Sequence, residues 1–132
     1  MRGAVIAFLF ALGLTAPVGV AAQSLSPMKS DVVTFGDKGS VRVYLRNPYV
    51  NARRFTMDVF HLDWEPVNDV LYSSRQLSLA PGASTSVFVV APLSGERSRQ
   101  FYVCATSRAY RGGGAGVKGQ VCGKYRPIRY AY

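Results

Sequence analysis

Apolar and polar residues alternate one by one along several short stretches of this 132-residue chain. Val41, Val43 and Leu45 alternate with charged or polar neighbours, and the same pattern returns at Phe55 and Met57. A period of two places the apolar side chains on one face of a β-strand, whereas a helix needs a period near 3.6. No segment shows a convincing helical period with capping residues. The chain is therefore predicted to be all-β.

Turn signals rich in Gly, Pro and Asn separate the alternating stretches. They divide the chain into seven predicted strands, A to G, at residues 31–35, 40–46, 54–62, 77–79, 85–90, 100–107 and 117–125. Seven short strands within about 100 residues are typical of a β-sandwich. No internal repeat and no interdomain linker is visible, so one sandwich domain is expected.

The phase of the alternation predicts which side chains fill the core of the sandwich. The predicted core residues are Val41, Val43, Leu45, Phe55, Met57, Val59, Val87, Val89 and Val103. Phe60, Leu62 and Trp64 have the opposite phase in strand C. They either bury under the connection that follows the strand or form an apolar patch on the surface.

The beginning of the chain has the three parts of a secretory signal. Arg2 supplies the positive charge, residues 4–14 form an apolar run, and Val20-Ala21-Ala22 matches the small residues that precede a cleavage site. The alternative is an uncleaved anchor helix, but the run is short for a membrane span. Pro17 and Gly19 also interrupt it where a span would continue.

Cleavage before Gln23 leaves residues 23–132 as a single exported domain, periplasmic or secreted, with no further segment long enough to span a membrane. Two cysteines remain, Cys104 and Cys122. An even count in an oxidising compartment predicts one disulfide. The two residues lie in strands F and G, which are neighbours in a predicted hairpin. Two free buried thiols are the alternative.

The chain is basic, with 16 Lys and Arg against 7 Asp and Glu and a formal net charge of +9 at pH 7. Residues 97–132 hold no acid, and their basic residues are Arg97, Arg99, Arg108, Arg111, Lys118, Lys124, Arg126 and Arg129. Such a field attracts acidic proteins, phosphorylated glycolipids or nucleic acid. The alternative is a basic surface that only keeps the exported domain soluble.

The side chains that could support catalysis or metal binding are few. His61 is the single histidine and has no Cys or second His beside it, whereas a metal site needs several converging ligands. Asp58, Asp63, Glu65 and Asp69 are close in sequence, and we expect them to be solvated near the turn that follows strand C. Neither a nucleophile elbow nor a phosphate-binding loop is visible. The sequence therefore predicts a non-enzymatic protein without a metal or cofactor.

Several short sequence segments resemble segments of the N-terminal domain of PapD-like periplasmic pilus chaperones, and they occur in the same order along the chain. The chain matches four elements of that domain: an opening strand, a second strand that ends in Asn, a Pro-Gly turn before strand E and the end of strand G. The corresponding segments are Leu25-Ser26-Pro27-Met28, residues 39–47, residues 79–90 and Tyr125-Arg126-Pro127. The resemblance covers most of residues 25–127.

The resemblance implies a periplasmic protein with a seven-stranded, immunoglobulin-like Greek-key sandwich and no cofactor or nucleotide. Members of the family lend their strand G to a pilus subunit that lacks its own final strand, which covers a hydrophobic groove and unpaired backbone groups. The expected partner is thus an exported pilus or surface subunit rather than nucleic acid. The expected partner-binding residues are Val117, Lys118, Val121, Lys124, Tyr125 and Arg126. The alternative is a strand G that is simply paired within its own sheet.

Two departures from the family leave a second function open. The family has two domains, and it binds the terminal carboxylate of the subunit with an Arg in strand A and a Lys in strand G. Here the Arg position falls on Asp31, and the Lys position falls close to Cys122, with Lys124 as a neighbour. The alternative function is an exported structural or accessory component of a surface assembly, or a protein that binds an anionic envelope polymer.

Overall fold

The computed structural model describes residues 24–109 and 119–130, and these ranges fold into two packed β-sheets. The strands are β1 (Ser24–Ser26), β2 (Lys29–Thr34), β3 (Lys38–Arg46), β4 (Arg53–Phe60), β5 (Leu71–Tyr72), β6 (Gln76–Leu79), β7 (Ser84–Pro92), β8 (Phe101–Ala109) and β9 (Gly119–Arg129). One sheet has the order β1-β3-β7-β5 and the other the order β2-β9-β8-β4-β6. The predicted all-β, immunoglobulin-like sandwich is confirmed.

The predicted strands A to G correspond to β2, β3, β4, β6, β7, β8 and β9. β1 overlaps the opening strand that the resemblance implies at Leu25-Ser26-Pro27-Met28, and β5 is additional, because two residues are too few to show an alternation. Strand C ends at Phe60 rather than at residue 62, and strand G continues through Pro127 to Arg129. Pro127 is tolerated because it lies beyond Tyr125, the last residue of β9 that pairs with β8. The predicted signal lies outside the described residues.

The core lies between the two sheets and follows the predicted phase. All nine predicted core residues are buried, and none exposes more than 2% of its surface. Phe101 and Tyr125 are also fully buried there. Leu62 and Trp64 are exposed and Phe60 is partly buried, so the residues of opposite phase form part of the surface.

Asn47 ends β3, and its buried side chain joins that end to the turn before β7. Its Nδ2 donates to the carbonyls of Leu79 and Asn51 at 3.0 Å and to that of Ala80 at 3.2 Å. Its Oδ1 accepts a hydrogen bond from the backbone N–H of Tyr49 at 3.0 Å. The Asn that the sequence places at the end of the second strand is therefore fully buried, with both its amide group and its carbonyl group hydrogen-bonded to the backbone around this turn.

The chain passes from one sheet to the other between β1 and β2. β1 pairs antiparallel with β3, whereas β2 pairs in parallel with β9 in the opposite sheet. Pro27 lies at this crossing and has no N–H to donate to a ladder. Within the described part of the chain there is no helix that is long and apolar enough to cross a membrane.

Candidate partner-binding edge

Strand β9 has two halves with different surroundings. From Gly119 to Tyr125 it pairs with β8, and from Lys124 to Arg129 it also pairs with β2 on its other side. The predicted edge strand is therefore an edge only in its first half. β2 covers the backbone of Lys124, Tyr125 and Arg126 on that side, so the open edge does not extend to them. That these three residues bind a partner stays a prediction.

The direction of the backbone groups shows which part of β9 is unpaired. The N–H of Lys124 donates to the carbonyl of Met28 across 2.8 Å, on the side away from β8. Backbone groups alternate in direction along a strand, so those of Gln120 and Cys122 point the same way as those of Lys124. No strand among residues 24–109 and 119–130 pairs with them on that side. Gln120 and Cys122 thus present an open edge.

The open edge ends at the corner where the chain enters the five-stranded sheet after Pro27, and Tyr125 stabilises this corner. The buried Tyr125 hydroxyl donates a hydrogen bond to the carbonyl of Pro27. Burial raises the pKa of this hydroxyl to about 12, so it remains a donor at physiological pH. Gly123 provides the space for the Tyr125 ring, since a Cβ at Gly123 would lie 2.5 Å from the tyrosine oxygen.

The predicted disulfide between Cys104 and Cys122 is present in the structure. The two residues are direct partners across β8 and β9, with their Cα atoms 4.0 Å apart. Because the backbone groups of Cys122 point away from β8, this is a non-hydrogen-bonded pair, the closer of the two antiparallel pair types. The disulfide therefore fixes the register of β9 to β8 in the half that has no second neighbouring strand within residues 24–109 and 119–130.

The structure places only some of the predicted partner-binding residues at this edge. Val117 and Lys118 lie outside the described residues. Val121 belongs to the open half, and its side chain is turned inward against the core. Lys124 stands at the boundary with β2. Arg126 lies beyond the edge and forms a two-bond ion pair with Asp31, at 3.1 Å and 2.6 Å.

Two lysines meet where the open edge ends. Lys29 of β2 and Lys124 of β9 are partners in the parallel register, so their side chains lie on the same face of the sheet. Together with Gln100 and the Asp31–Arg126 pair they line a small cavity of about 130 Å³. Arg126, which donates to both carboxylate oxygens, holds the pKa of Asp31 below its ordinary value of 3.8. The acid at the family's Arg position is therefore already neutralised within the chain.

Sequence reasoning missed Lys29 as a member of this site. Lys29 precedes the predicted start of strand A at residue 31, and residues 29–34 show no clear apolar alternation. Its proximity to Lys124 depends on a parallel pairing between strands that are far apart in the chain, and no local pattern reports that pairing.

The candidate catalytic and metal-binding residues do not converge. His61 lies in the exposed turn after β4. Asp58 forms an ion pair with Arg75 at 2.8 Å, and Asp69 forms one with Arg99 at 2.9 Å. Among the residues that the structure describes, no group of three or more His, Cys, Asp or Glu could hold a metal ion.

Comparison with known proteins supports the architecture. No family model and no curated protein sequence matches the chain. A chain in the complex of the Salmonella enterica SafA pilin with the SafB chaperone is similar at 13% identity and a TM-score of 0.67, covering 83% of this chain and 55% of that one. The E. coli chaperone DraB is similar at 11% identity and a TM-score of 0.66, covering 82% of this chain and 55% of its own.

A single-domain relative of the fold is matched along its whole length. A PapD-like domain of human CEP192 has 8% identity and a TM-score of 0.58, with 96% of this chain and 99% of that domain covered. The chain thus spans about half the length of the chaperone structures and all of one isolated domain. At such low identities the comparisons establish the fold. The resemblance found in the sequence is confirmed at this level: the chain has the PapD-like immunoglobulin fold that pilus chaperones contain.

Proposed function

We propose that this chain is an exported, periplasmic, chaperone-like domain that captures a pilus or surface subunit by strand addition to β9. In this role it is a binding protein that needs no catalytic group, metal or cofactor. The fold supports the proposal, because structures of the same fold include a chaperone that forms a complex with a pilin.

The observation that carries the proposal is the open half of β9. The backbone groups of Gln120 and Cys122, which have no second partner strand in the described ranges, can accept an extended segment of a partner, whose own exposed edge is then covered. The disulfide at Cys122 cross-links this half of the strand to β8. Preorganisation of this kind lowers the entropy cost of binding.

The two lysines suggest how the added strand ends. A strand that adds parallel to β9 meets the start of β2 at Lys124, so its C-terminus lies beside Lys29 and Lys124. In the family a terminal carboxylate is bound by an Arg and a Lys, and those positions are Asp31 and Cys122 here. Lys29 and Lys124 are two residues away from them on the same face of the sheet. They are positioned to bind the carboxylate instead.

Site-specific photocrosslinking in the native host tests the proposal. A photoreactive residue at position 120 should crosslink to an exported β-rich subunit in a complex of one copy each, identified by mass spectrometry. The matched control is the same residue at Ser40, which is exposed on the outer face of the other sheet. Replacing both Lys29 and Lys124 by Gln should lower the yield of the adduct at position 120.

Identical adducts at positions 120 and 40 would contradict strand addition at this edge. The second function, a structural component of a surface assembly, makes a different prediction. In that case the crosslinked chain is recovered in an assembled surface fibre rather than as a separate complex.

A further inference from the structure

Trp64 forms an exposed aromatic platform on the outer face of the five-stranded sheet. Its ring stacks on that of Tyr102, with centroids 4.4 Å apart and planes inclined by 4°. Phe60 supports it from the side at 6.1 Å. Trp64 is nevertheless 54% exposed. One face of the ring is covered by Tyr102, so the opposite face is open to solvent.

The backbone holds Trp64 in this position. Its φ of 68° lies in the left-handed region, which is unfavourable for a bulky residue. Two backbone hydrogen bonds stabilise the turn, from Trp64 to His61 at 2.9 Å and from His61 to Glu65 at 2.8 Å. The Asp63 carboxylate also accepts from the N–H of Glu65 at 3.1 Å. Strain that is held by the surrounding structure in this way is a feature of ligand sites.

Cations flank the platform on one side. The rows of the sheet place Phe60, Tyr102, Lys124 and Lys29 next to each other across β4, β8, β9 and β2. All four side chains have the phase opposite to the core. Neither lysine belongs to an ion pair among the described residues, where each ion pair is made by an arginine. The aromatic surface and the two lysines therefore lie along one row on the same face of the sheet.

We propose that this surface binds an anionic polysaccharide, with one sugar ring on Trp64 and its carboxylate on Lys124 and Lys29. A pyranose ring presents a flat face of C–H groups that can pack against an open aromatic face. The adjacent lysines select an acidic sugar over a neutral one. Trp64 lies flat on Tyr102 instead of projecting from the surface, which favours a polymer over insertion into a lipid bilayer.

Tryptophan fluorescence gives a direct test, because the chain contains a single Trp. The full exported domain is titrated with oligogalacturonate and, as a matched control, with a malto-oligosaccharide of equal length. Saturable change of the emission with the acidic oligomer is expected, with affinity for the neutral one lower by about tenfold or more. Vesicles that contain phosphatidylglycerol provide the comparison with an anionic lipid surface.

Variants connect the signal to the site through calorimetry. Trp64→Ala should weaken oligogalacturonate binding by about tenfold or more, whereas Trp64→Phe keeps a ring and should stay within about threefold. Lys124→Gln should weaken binding and make it less sensitive to salt. Arg42→Gln, on the outer face of the other sheet, should leave it unchanged. If Trp64→Ala does not fold, Trp64→Phe and Lys124→Gln decide the outcome.

Equal binding of the neutral oligomer, unchanged affinity of Lys124→Gln, or binding to the vesicles without binding to the oligomer would each overturn the proposal. It does not rest on strand addition at β9. A negative result here therefore leaves the crosslinking at position 120 to be judged by itself.

Discussion

The hydrogen bond from the N–H of Lys124 to the carbonyl of Met28, 2.8 Å long, marks the point where β9 changes from an edge strand to an interior strand. Before this bond the strand has β8 alone as a paired neighbour among the described residues, and after it β2 lies on the other side. The phase of the same bond identifies Gln120 and Cys122 as the residues with outward-facing backbone groups. It therefore shows at which positions a single substitution removes a backbone donor from the open edge and at which it removes one from the pairing with β8.

Proline substitutions at adjacent positions should separate binding from stability. In Gln120→Pro the lost N–H faces the open edge, so the domain should stay folded while subunit capture falls. In Val121→Pro the lost N–H faces β8 and its partner Ala105. That variant should lose about 1–3 kcal/mol of unfolding free energy in urea titrations.

Gln120→Ala is the control, because it removes only the side-chain hydrogen bond to Thr106. It should capture the subunit like the unmodified chain. Full capture by a folded Gln120→Pro variant, measured by co-purification, would exclude strand addition at this position.

Reduction of the disulfide should destabilise the domain and weaken binding at the edge. Cys104 and Cys122 enclose a loop of 18 residues in sequence separation, for which loop closure entropy predicts a loss of roughly 3 kcal/mol. Urea unfolding with and without dithiothreitol measures this loss. The chain has no other cysteine, so the double variant with Ser at both positions should not respond to dithiothreitol. Equal stability of the oxidised and reduced forms would refute the prediction.

Removal of the Asn47 side chain should be among the costly single substitutions. Asn47→Ala removes a donor from the buried carbonyl of Leu79 and the acceptor for the N–H of Tyr49. We expect a loss of about 2–4 kcal/mol in chemical denaturation, since several buried groups lose a partner at once. Asn51→Ala is the control, because Asn51 is exposed and contributes only its backbone carbonyl to this network. A loss no larger than that of the control would contradict the role of the side chain.

Acid should remove a small part of the stability through Asp69. Arg99 donates to both carboxylate oxygens and holds the pKa of Asp69 below its ordinary value of 3.8. A lowered pKa in the folded state means that the stabilisation is complete above pH 3.8 and is lost as the pH falls below it. The Asp69 side chain is 52% exposed, so solvent screening keeps the effect below about 1 kcal/mol.

Asp69→Asn should therefore lower the stability at pH 7 slightly and flatten its decline in acid, as measured by urea titrations at several pH values. Asp63→Asn, which removes a carboxylate that makes no ion pair among the described residues, is the comparison. If the stability of Asp69→Asn declined in acid as steeply as that of the unmodified chain, this ion pair would contribute nothing to the pH dependence of stability.

The core and the disulfide could be predicted because local signals report them. Alternation along β3 and β4 determines which face of each strand is apolar, and Val43 and Met57 are buried as that phase requires. The pairing of Cys104 with Cys122 follows from two cysteines in neighbouring strands of a hairpin. The alternation also showed that Trp64 has the phase opposite to the core. Its stacking on Tyr102 could not be predicted from the sequence.

The sequence by itself determined the class of fold, the phase of the strands and the concentration of positive charge, since each depends on residue types a few positions apart. Only the tertiary structure decided that β2 covers half of β9, that Asp31 neutralises Arg126, and that Lys29 stands beside Lys124. Asp31 and Arg126 are 95 positions apart in sequence. Contacts of that kind depend on how the whole sandwich closes, because parallel pairing of distant strands leaves no periodic pattern in either strand.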